Sequence, residues 1–160
     1  MISRILLLLG TIVLITACGP RIIYEETISF EPDGWDQDDP ALFGMNYSDT
    51  SKIVDVGMTF VHDDTYPFSN IWLFLEVNGP QGTLQIDTLE FLLAETDGQW
   101  LGKRSGKHLE VAALYQYGVK FSEAGNWSFK ITQGMRHPRL EGIQKISFWI
   151  QESAVNEQEP

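Results

Sequence analysis

Apolar and polar residues alternate along four stretches of the chain. In residues 54–60, for example, Val56, Met58 and Phe60 alternate with polar or small side chains. An alternation with a period of two places the apolar side chains on one face of an extended strand and the polar ones on the other. The pattern predicts half-buried β-strands at residues 54–60, 71–77, 127–131 and 146–150.

Four further segments have weaker patterns that still favour extended structure. Residues 22–30 and 41–48 are rich in apolar and aromatic side chains. In residues 83–93 the apolar positions change phase, which predicts a β-bulge near Asp87. Residues 109–121 fit a helical turn at their start but a strand over most of their length, so a strand is favoured.

These segments together predict an all-β fold. Glycine-containing turn signals separate the segments, as is typical of sandwiches and barrels. We therefore predict an antiparallel β-sandwich of about eight strands, Ig-like or jelly-roll-like, over residues 22–151. Residues 152–160 are polar and acidic, and are predicted to form a flexible tail.

The first residues have the pattern of a bacterial lipoprotein signal peptide. Arg4 precedes an apolar run, residues 5–15, which is shorter than the roughly 20 residues that a membrane-spanning helix needs. Ile15-Thr16-Ala17-Cys18 then matches a lipobox, in which small residues precede the lipidated cysteine. Residues 1–17 are therefore the predicted signal peptide, and residues 18–21 comprise the diacylglyceryl- and N-acyl-modified Cys18 and a short tether. An ordinary secretory signal followed by a chance cysteine is the alternative.

The charge balance excludes some classes of partner. The chain has 160 residues, with 11 Lys+Arg against 22 Asp+Glu and a formal net charge of -11. Nucleic-acid binding is not expected, because contacts to phosphates need a basic face. The single cysteine leaves no intramolecular disulfide and, once it is lipidated, no thiol chemistry.

Acidic residues and one histidine raise the question of metal or catalytic chemistry. Residues 31–39 contain five carboxylates that could offer oxygen ligands to calcium, but their spacing does not match an EF-hand loop. A solvated acidic loop held by Trp35 is favoured, and no metal or other cofactor is predicted. His62 continues the apolar phase of its strand, so a structural histidine is favoured over a general base. No nucleophile has a marked base beside it in the sequence, so no catalytic residue is predicted.

Basic and aromatic side chains are candidates for contact with a partner. Residues 102–107 are similar to a phosphate-binding loop but have the wrong glycine spacing, so a solvated turn is favoured and a docking patch is the alternative. Trp127 shares the apolar phase of its strand, whereas Trp72 and Trp149 lie opposite apolar faces. Exposed aromatic side chains of this kind mark protein interfaces and glycan-binding sites alike. A glycan-binding module is therefore the alternative to a protein-binding function.

Several short motifs occur in order along nearly the whole mature chain. The most specific are Tyr-Pro-Phe-Ser-Asn at residues 66–70 and Trp-Leu-Gly-Lys at residues 100–103. The others are Gly34-Trp35 with Asp38-Asp39, residues 64–74, Asp87-Thr88-Leu89-Glu90, residues 97–103, Gln133-Gly134-Met135-Arg136 and Leu140-Glu141-Gly142-Ile143. In these motifs, and in its lipobox, the chain resembles the GldH family of gliding motility lipoproteins of the Bacteroidota.

The resemblance implies a function and a set of partners. It implies an envelope lipoprotein that acts by protein–protein contact in the gliding motility machinery linked to type IX secretion, with other gliding or secretion lipoproteins as partners. It implies no catalytic residues. Gly19 and the lack of an acidic stretch after the cysteine favour the outer membrane, facing the periplasm.

Two segments are the predicted sites of partner contact, and their side chains are expected to be exposed. The candidates are Tyr66, Phe68, Asn70 and Trp72 on one turn and strand, and Trp100, Lys103 and Arg104 on a second loop. Separately, Asp87-Thr88-Leu89 fits a bacterial O-glycosylation pattern, which makes modification of Thr88 an open hypothesis.

Overall fold

The described part of the chain, residues 19–155 of a computed structural model, contains eleven β-strands and no helix. Accordingly, no helix among these residues is long and apolar enough to cross a membrane. The signal peptide, Cys18 and residues 156–160 of the tail lie outside the described residues. The strands are β1 (Ile22–Ser29), β2 (Trp35–Asp36), β3 (Ala41–Tyr47), β4 (Val54–Asp63), β5 (Asn70–Gly79), β6 (Gly82–Leu92), β7 (Lys103–Ser105), β8 (His108–Val119), β9 (Gly125–Gln133), β10 (Arg139–Leu140) and β11 (Ile143–Glu152).

The long strands form two antiparallel sheets. The first sheet has the order β1-β11-β4-β8-β7, and the second has the order β3-β9-β5-β6. The short strands β10 and β2 pair separately. The predicted all-β fold is confirmed, and all eight predicted segments are strands, including residues 109–121. The short strands β2, β7 and β10 were not predicted, because their apolar patterns are too short to recognise.

The core lies between the two sheets. Phe148 of the first sheet packs against Phe43 and Phe129 of the second, with ring centroids 5.6 and 4.4 Å away. Trp127 is only 5% exposed, which confirms its predicted place in the core. Since each aromatic side chain contributes a large apolar area, these contacts hold the two sheets together.

Strand β6 differs from the sequence prediction in one respect. Its register with β5 is continuous through Asp87, so the predicted bulge there is wrong. The register instead shifts between Val77 and Asn78, at the hairpin end. Ile86 is 69% exposed on the outer face, whereas Leu89 packs against the core. The apolar positions therefore change phase because both faces of β6 carry apolar side chains.

The sandwich has two distinct ends. At the end where the described chain begins, which we call the anchor end, Arg21 and Lys52 form ion pairs with Glu152. The opposite end, which we call the distal end, carries the turns at residues 63–70, 94–108 and 134–142. Strand β4 runs from one end to the other, and its length places the ends about 30 Å apart.

Candidate interaction site

The turn between β4 and β5 is closed by its own hydrogen bonds at the distal end. The carboxylate of Asp63 accepts a hydrogen bond from the backbone N–H of Thr65 at 2.9 Å. The hydroxyl of Tyr66 donates to the carbonyl oxygen of Asn70 at 2.8 Å. Only 2% of Tyr66 is exposed, and this burial raises the pKa of its hydroxyl. The prediction that Tyr66 is exposed for partner contact is therefore wrong.

A second segment packs closely against the backbone of this turn. Gly142 lies directly against the turn with a φ of 78°, in the left-handed region that favours glycine. A Cβ atom at this position would lie 2.4 Å from the backbone nitrogen of Tyr66. The carbonyl of Gly142 also accepts a hydrogen bond from the N–H of Asp63 at 3.0 Å. This contact joins segments distant in sequence, so the pattern around Tyr66 could not reveal it.

Five rings form a contiguous group at the distal end, which we call the distal aromatic cluster. The ring of His62 lies 4.6 Å from Trp100 and 5.5 Å from Tyr66, measured between centroids. Tyr66 in turn contacts Phe68 at 5.9 Å, and Phe68 contacts His137 at 5.2 Å. The structure thus brings together Tyr66, Phe68 and Trp100, which were predicted on two separate segments. Sequence analysis missed the place of both histidines in this cluster, because their contacts to Trp100 and Phe68 join segments that are distant in sequence.

His62 occupies the buried side of the cluster. It is 0% exposed, and its Nδ1 lies 3.1 Å from the carbonyl oxygen of Asp63. Its Nε2 is buried and finds no hydrogen-bond partner among the described residues. Burial lowers the pKa of His62, and the nearby carboxylates of Asp63 and Asp64 oppose this shift only in part. His62 is therefore a packed strand-end histidine with one of its two nitrogens satisfied.

An ion pair lies beside the cluster on the distal surface. The guanidinium of Arg104 donates to both carboxylate oxygens of Asp64, at 2.9 and 2.8 Å. This hydrogen bonding holds the pKa of Asp64 below its usual range. Both side chains are about half exposed, at 47% and 56%, so the pair orients the side chains more than it stabilises the fold.

The segment that carries Arg104 is a β-hairpin, and not a phosphate-binding loop. Strand β7 pairs with the start of β8, and no helix follows. Gly102 precedes the hairpin with a φ of 80°, and a Cβ there would lie 2.1 Å from the carbonyl oxygen of Glu110. Lys103 is exposed on β7. The hairpin therefore presents Lys103 and Arg104 to solvent, as predicted.

The remaining two candidates lie on the outer face of the second sheet. The side-chain amide of Asn70 donates to Glu90 at 2.6 Å, across the β5–β6 pair. Trp72 is 39% exposed and lies two residues before Phe74, which is 45% exposed. Asn70 and Trp72 therefore face away from the distal aromatic cluster, although they follow Tyr66 and Phe68 closely in sequence.

The acidic loop is held as the sequence predicted. Trp35 is 1% exposed, and its indole N–H donates to the carbonyl oxygen of Asp39 at 2.9 Å. Arg139 binds the carboxylates of Asp33 and Asp36, at 2.5 and 2.6 Å. Within residues 19–155, no three His, Cys, Asp or Glu side chains are grouped in a way that could hold a metal ion.

Comparison with known proteins assigns the chain to a family. A family model described as GldH lipoprotein matches residues 22–150, which span almost the whole described sandwich. The chain belongs to the GldH lipoprotein family. Membership of this family makes the chain a lipid-anchored protein of the cell envelope.

Two relatives have similar length. The gliding motility lipoprotein GldH homolog of Christiangramia forsetii is 32% identical over 150 residues, which cover 89% of this chain and 91% of that protein. The gliding motility lipoprotein GldH of Flavobacterium johnsoniae is 28% identical over 157 residues, which cover 94% and 96%. No solved structure matches the chain.

Proposed function

We propose that this GldH-family chain is a component of the gliding motility machinery and the type IX secretion linked to it, and that it acts by protein–protein contact. The names of the two relatives support the process. The mode of action is carried by one observation: aromatic side chains and an oriented Arg104–Asp64 pair are gathered at the end of the sandwich opposite the N-terminal tether. We propose no catalytic role.

The tether determines which end of the domain faces the membrane. We propose that Cys18 carries the lipid, in the outer membrane and on its periplasmic side. Only Gly19, Pro20 and Arg21 then separate it from β1, and three extended residues span about 10 Å. The anchor end therefore lies close to the lipid surface. The distal aromatic cluster projects about 30 Å further from it, within reach of other envelope proteins.

The distal end combines the side chains that dominate binding energy in protein interfaces. Phe68 and Trp100 are half-buried, so they present ring edges in fixed orientations at little cost in conformational entropy. Lys103 adds positive charge beside the Arg104–Asp64 pair, whose opposite charges balance each other. The partner surface that fits is therefore an apolar groove bordered by carboxylates. Its charged contacts weaken as salt is added.

A glycan-binding module is the second candidate function. It rests on Trp72 and Phe74, two exposed aromatic side chains on one strand, with Asn70 and Glu90 as polar neighbours. Such a site would lie on the outer face of the second sheet, and the distal aromatic cluster would have no part in it.

Affinity purification from native host membranes tests the proposal. The bait is the full chain with a C-terminal tag, as wild type, Cys18→Ala, Arg104→Glu and Lys130→Glu. Lys130 is an exposed residue on the outer face of β9, so its reversal matches the change in net charge without touching the distal end.

The expected result is co-purification of envelope lipoproteins or secretion components at a fixed ratio with wild type and Lys130→Glu. Recovery should fall with Cys18→Ala and with Arg104→Glu. Equal recovery with Arg104→Glu and Lys130→Glu would contradict a contact at the distal end. If none of the four baits recovers a partner and the protein gives specific signals on a glycan array, the glycan-binding function replaces the proposal.

A further inference from the structure

Strand β6 is an edge strand with an open side. It occupies the end of the second sheet and pairs only with β5 among the described residues. An edge strand of this kind directs a row of backbone N–H and C=O groups away from the sheet, where they can pair with a further strand. Residues Gly82–Leu92 contain no Pro, Lys or Arg, and the strand's own charges are Asp87, which faces inward, and Glu90.

An apolar stripe runs along this edge on the outer face. The register places Leu92 opposite Asn70 and Ile86 opposite Glu76, so both lie diagonally beside the aromatic side chains of β5. Leu92 and Ile86 are 61% and 69% exposed, and Trp72 and Phe74 are 39% and 45% exposed. Large apolar side chains concentrated beside an unpaired edge are typical of a surface that another chain covers.

The charges on this edge are acidic. Glu90 is exposed on the outer face, and Asp87 on the inner face accepts hydrogen bonds from the hydroxyl of Tyr115 and from Gln85. The hydrogen bond from Tyr115 holds the Asp87 carboxylate against β8. This carboxylate is therefore already partnered and is not offered to a chain at the open edge. A basic segment complements such an edge, whereas an acidic one is repelled.

A second copy of the chain does not fit this edge in one membrane. A two-fold axis normal to the sheet would pair two β6 strands antiparallel and place the second anchor end beside the first distal end. A two-fold axis along the strands would keep both anchors together but turn the second apolar stripe to the opposite face. The occupant is therefore a segment of a different protein, and this step rests on the proposed lipid anchor.

We propose that β6 receives an extended segment of a partner protein, rich in basic and apolar residues, as an additional strand of the second sheet. Backbone hydrogen bonds along residues 85–92 position the segment. Its side chains cover Ile86 and Leu92 on the outer face and meet Glu90 with a cation. This surface is separate from the distal aromatic cluster.

Hydrogen exchange of the full lipidated chain tests the proposal. The chain is placed singly in phosphatidylcholine nanodiscs and mixed with a synthetic valine–lysine peptide, about ten residues long to match the strand, in which valine and lysine share the alternate positions of one face and threonine fills the other face. The same peptide with glutamate in place of lysine tests the charge requirement, and a fully N-methylated valine–lysine peptide tests the backbone requirement. Variants Ile86→Lys and Leu92→Lys are compared with Leu42→Lys. Leu42 is 61% exposed on β3, the other edge of the same sheet.

Of the three peptides, only the unmethylated valine–lysine peptide should lower deuterium uptake across β6. This protection should be lost in Ile86→Lys and Leu92→Lys and kept in Leu42→Lys. Absence of protection at millimolar peptide, or equal protection by the N-methylated peptide, would overturn strand addition. If β6 is protected without any peptide in nanodiscs that hold two chains, the occupant of the edge is a second copy, and the proposal is overturned. Loss of partners at the distal end, by contrast, would leave β6 protection unchanged.

Discussion

Replacing His62 by leucine is the sharpest test of the distal aromatic cluster. The His62 ring is fully buried against Trp100, and only its Nδ1 has a partner, the carbonyl oxygen of Asp63 at 3.1 Å. Leucine has a similar volume and no polar atoms. The substitution therefore removes one hydrogen bond, the ring contacts to Trp100 and Tyr66, and one unsatisfied buried nitrogen at the same time.

The magnitudes of these effects nearly cancel at alkaline pH. Loss of the hydrogen bond costs about 0.5–1.5 kcal/mol, and loss of the ring contacts to Trp100 and Tyr66 costs about 0.5–1.5 kcal/mol each. Removal of the unsatisfied Nε2 stabilises the folded state by about 1–3 kcal/mol, because that buried nitrogen no longer has to be desolvated. We expect His62→Leu to unfold with a free energy within about 1.5 kcal/mol of wild type at pH 8.

At acidic pH the unfolding free energies of wild type and His62→Leu should differ. Since burial lowers the pKa of His62 in the folded state, protonation favours the unfolded chain, in which the pKa is near its ordinary 6.5. The stability that neutral His62 contributes is complete above this unfolded pKa. It is lost as the pH falls from there towards the lower folded pKa, by at most about 1.4 kcal/mol per pH unit. The leucine variant has no such loss.

Urea denaturation followed by tryptophan fluorescence between pH 8 and 5 measures the effect. The quantity of interest is the unfolding free energy of wild type minus that of His62→Leu, because losses common to both proteins then cancel. The difference should fall as the pH falls below about 6.5. His108→Leu, a second histidine at the distal end, is the control. A difference that does not change with pH would show that His62 reaches water or an acceptor, and would refute the account of a buried, half-satisfied ring.

Three further predictions follow from single contacts. Gly142→Ala should destabilise the fold by more than about 2 kcal/mol in urea denaturation, because a Cβ there meets the backbone of Tyr66 and the backbone has positive φ. A double-mutant cycle of Arg104→Ala and Asp64→Ala should give a small coupling that shrinks in high salt; a large, salt-independent coupling would contradict an exposed pair. Phe148→Ala should lower the unfolding free energy by about 3–5 kcal/mol, and a small loss would show that the site collapses around the cavity.

The fold was largely predictable because its long strands encode burial locally. Where one face is buried, alternation alone identifies the strand, as in residues 71–77 and 127–131. Strand β6 shows the limit of this reasoning. Its outer face carries Ile86 and Leu92, so the pattern has two apolar faces, and a bulge near Asp87 was inferred where none exists. Apolar residues that serve an interface disturb the pattern from which burial is inferred.

The candidate site was predictable only in part, because it is assembled by contacts between distant segments. Phe68 and Trp100 could be chosen as exposed-type aromatic residues in distinctive motifs. The backbone of Tyr66 packs against Gly142, and the ring of His62 packs against Trp100; neither pair is close in sequence. The glycine of the Leu140-Glu141-Gly142-Ile143 motif is a sequence signal that could have indicated a close backbone approach, but not the segment that it approaches.

The two proposed surfaces should respond differently to the same change in conditions. The distal end depends on the neutral form of His62, so acid should loosen Trp100 and weaken a partner bound there. Strand addition at β6 depends on backbone hydrogen bonds and apolar contact, which do not titrate, and only its contact with Glu90 is sensitive to salt. In wild type, a partner bound at the distal end should be released between pH 7 and 5, over the same range in which the protein loses stability. The same partner should stay bound to His62→Leu. A partner retained under those conditions but released by Ile86→Lys binds the β6 edge.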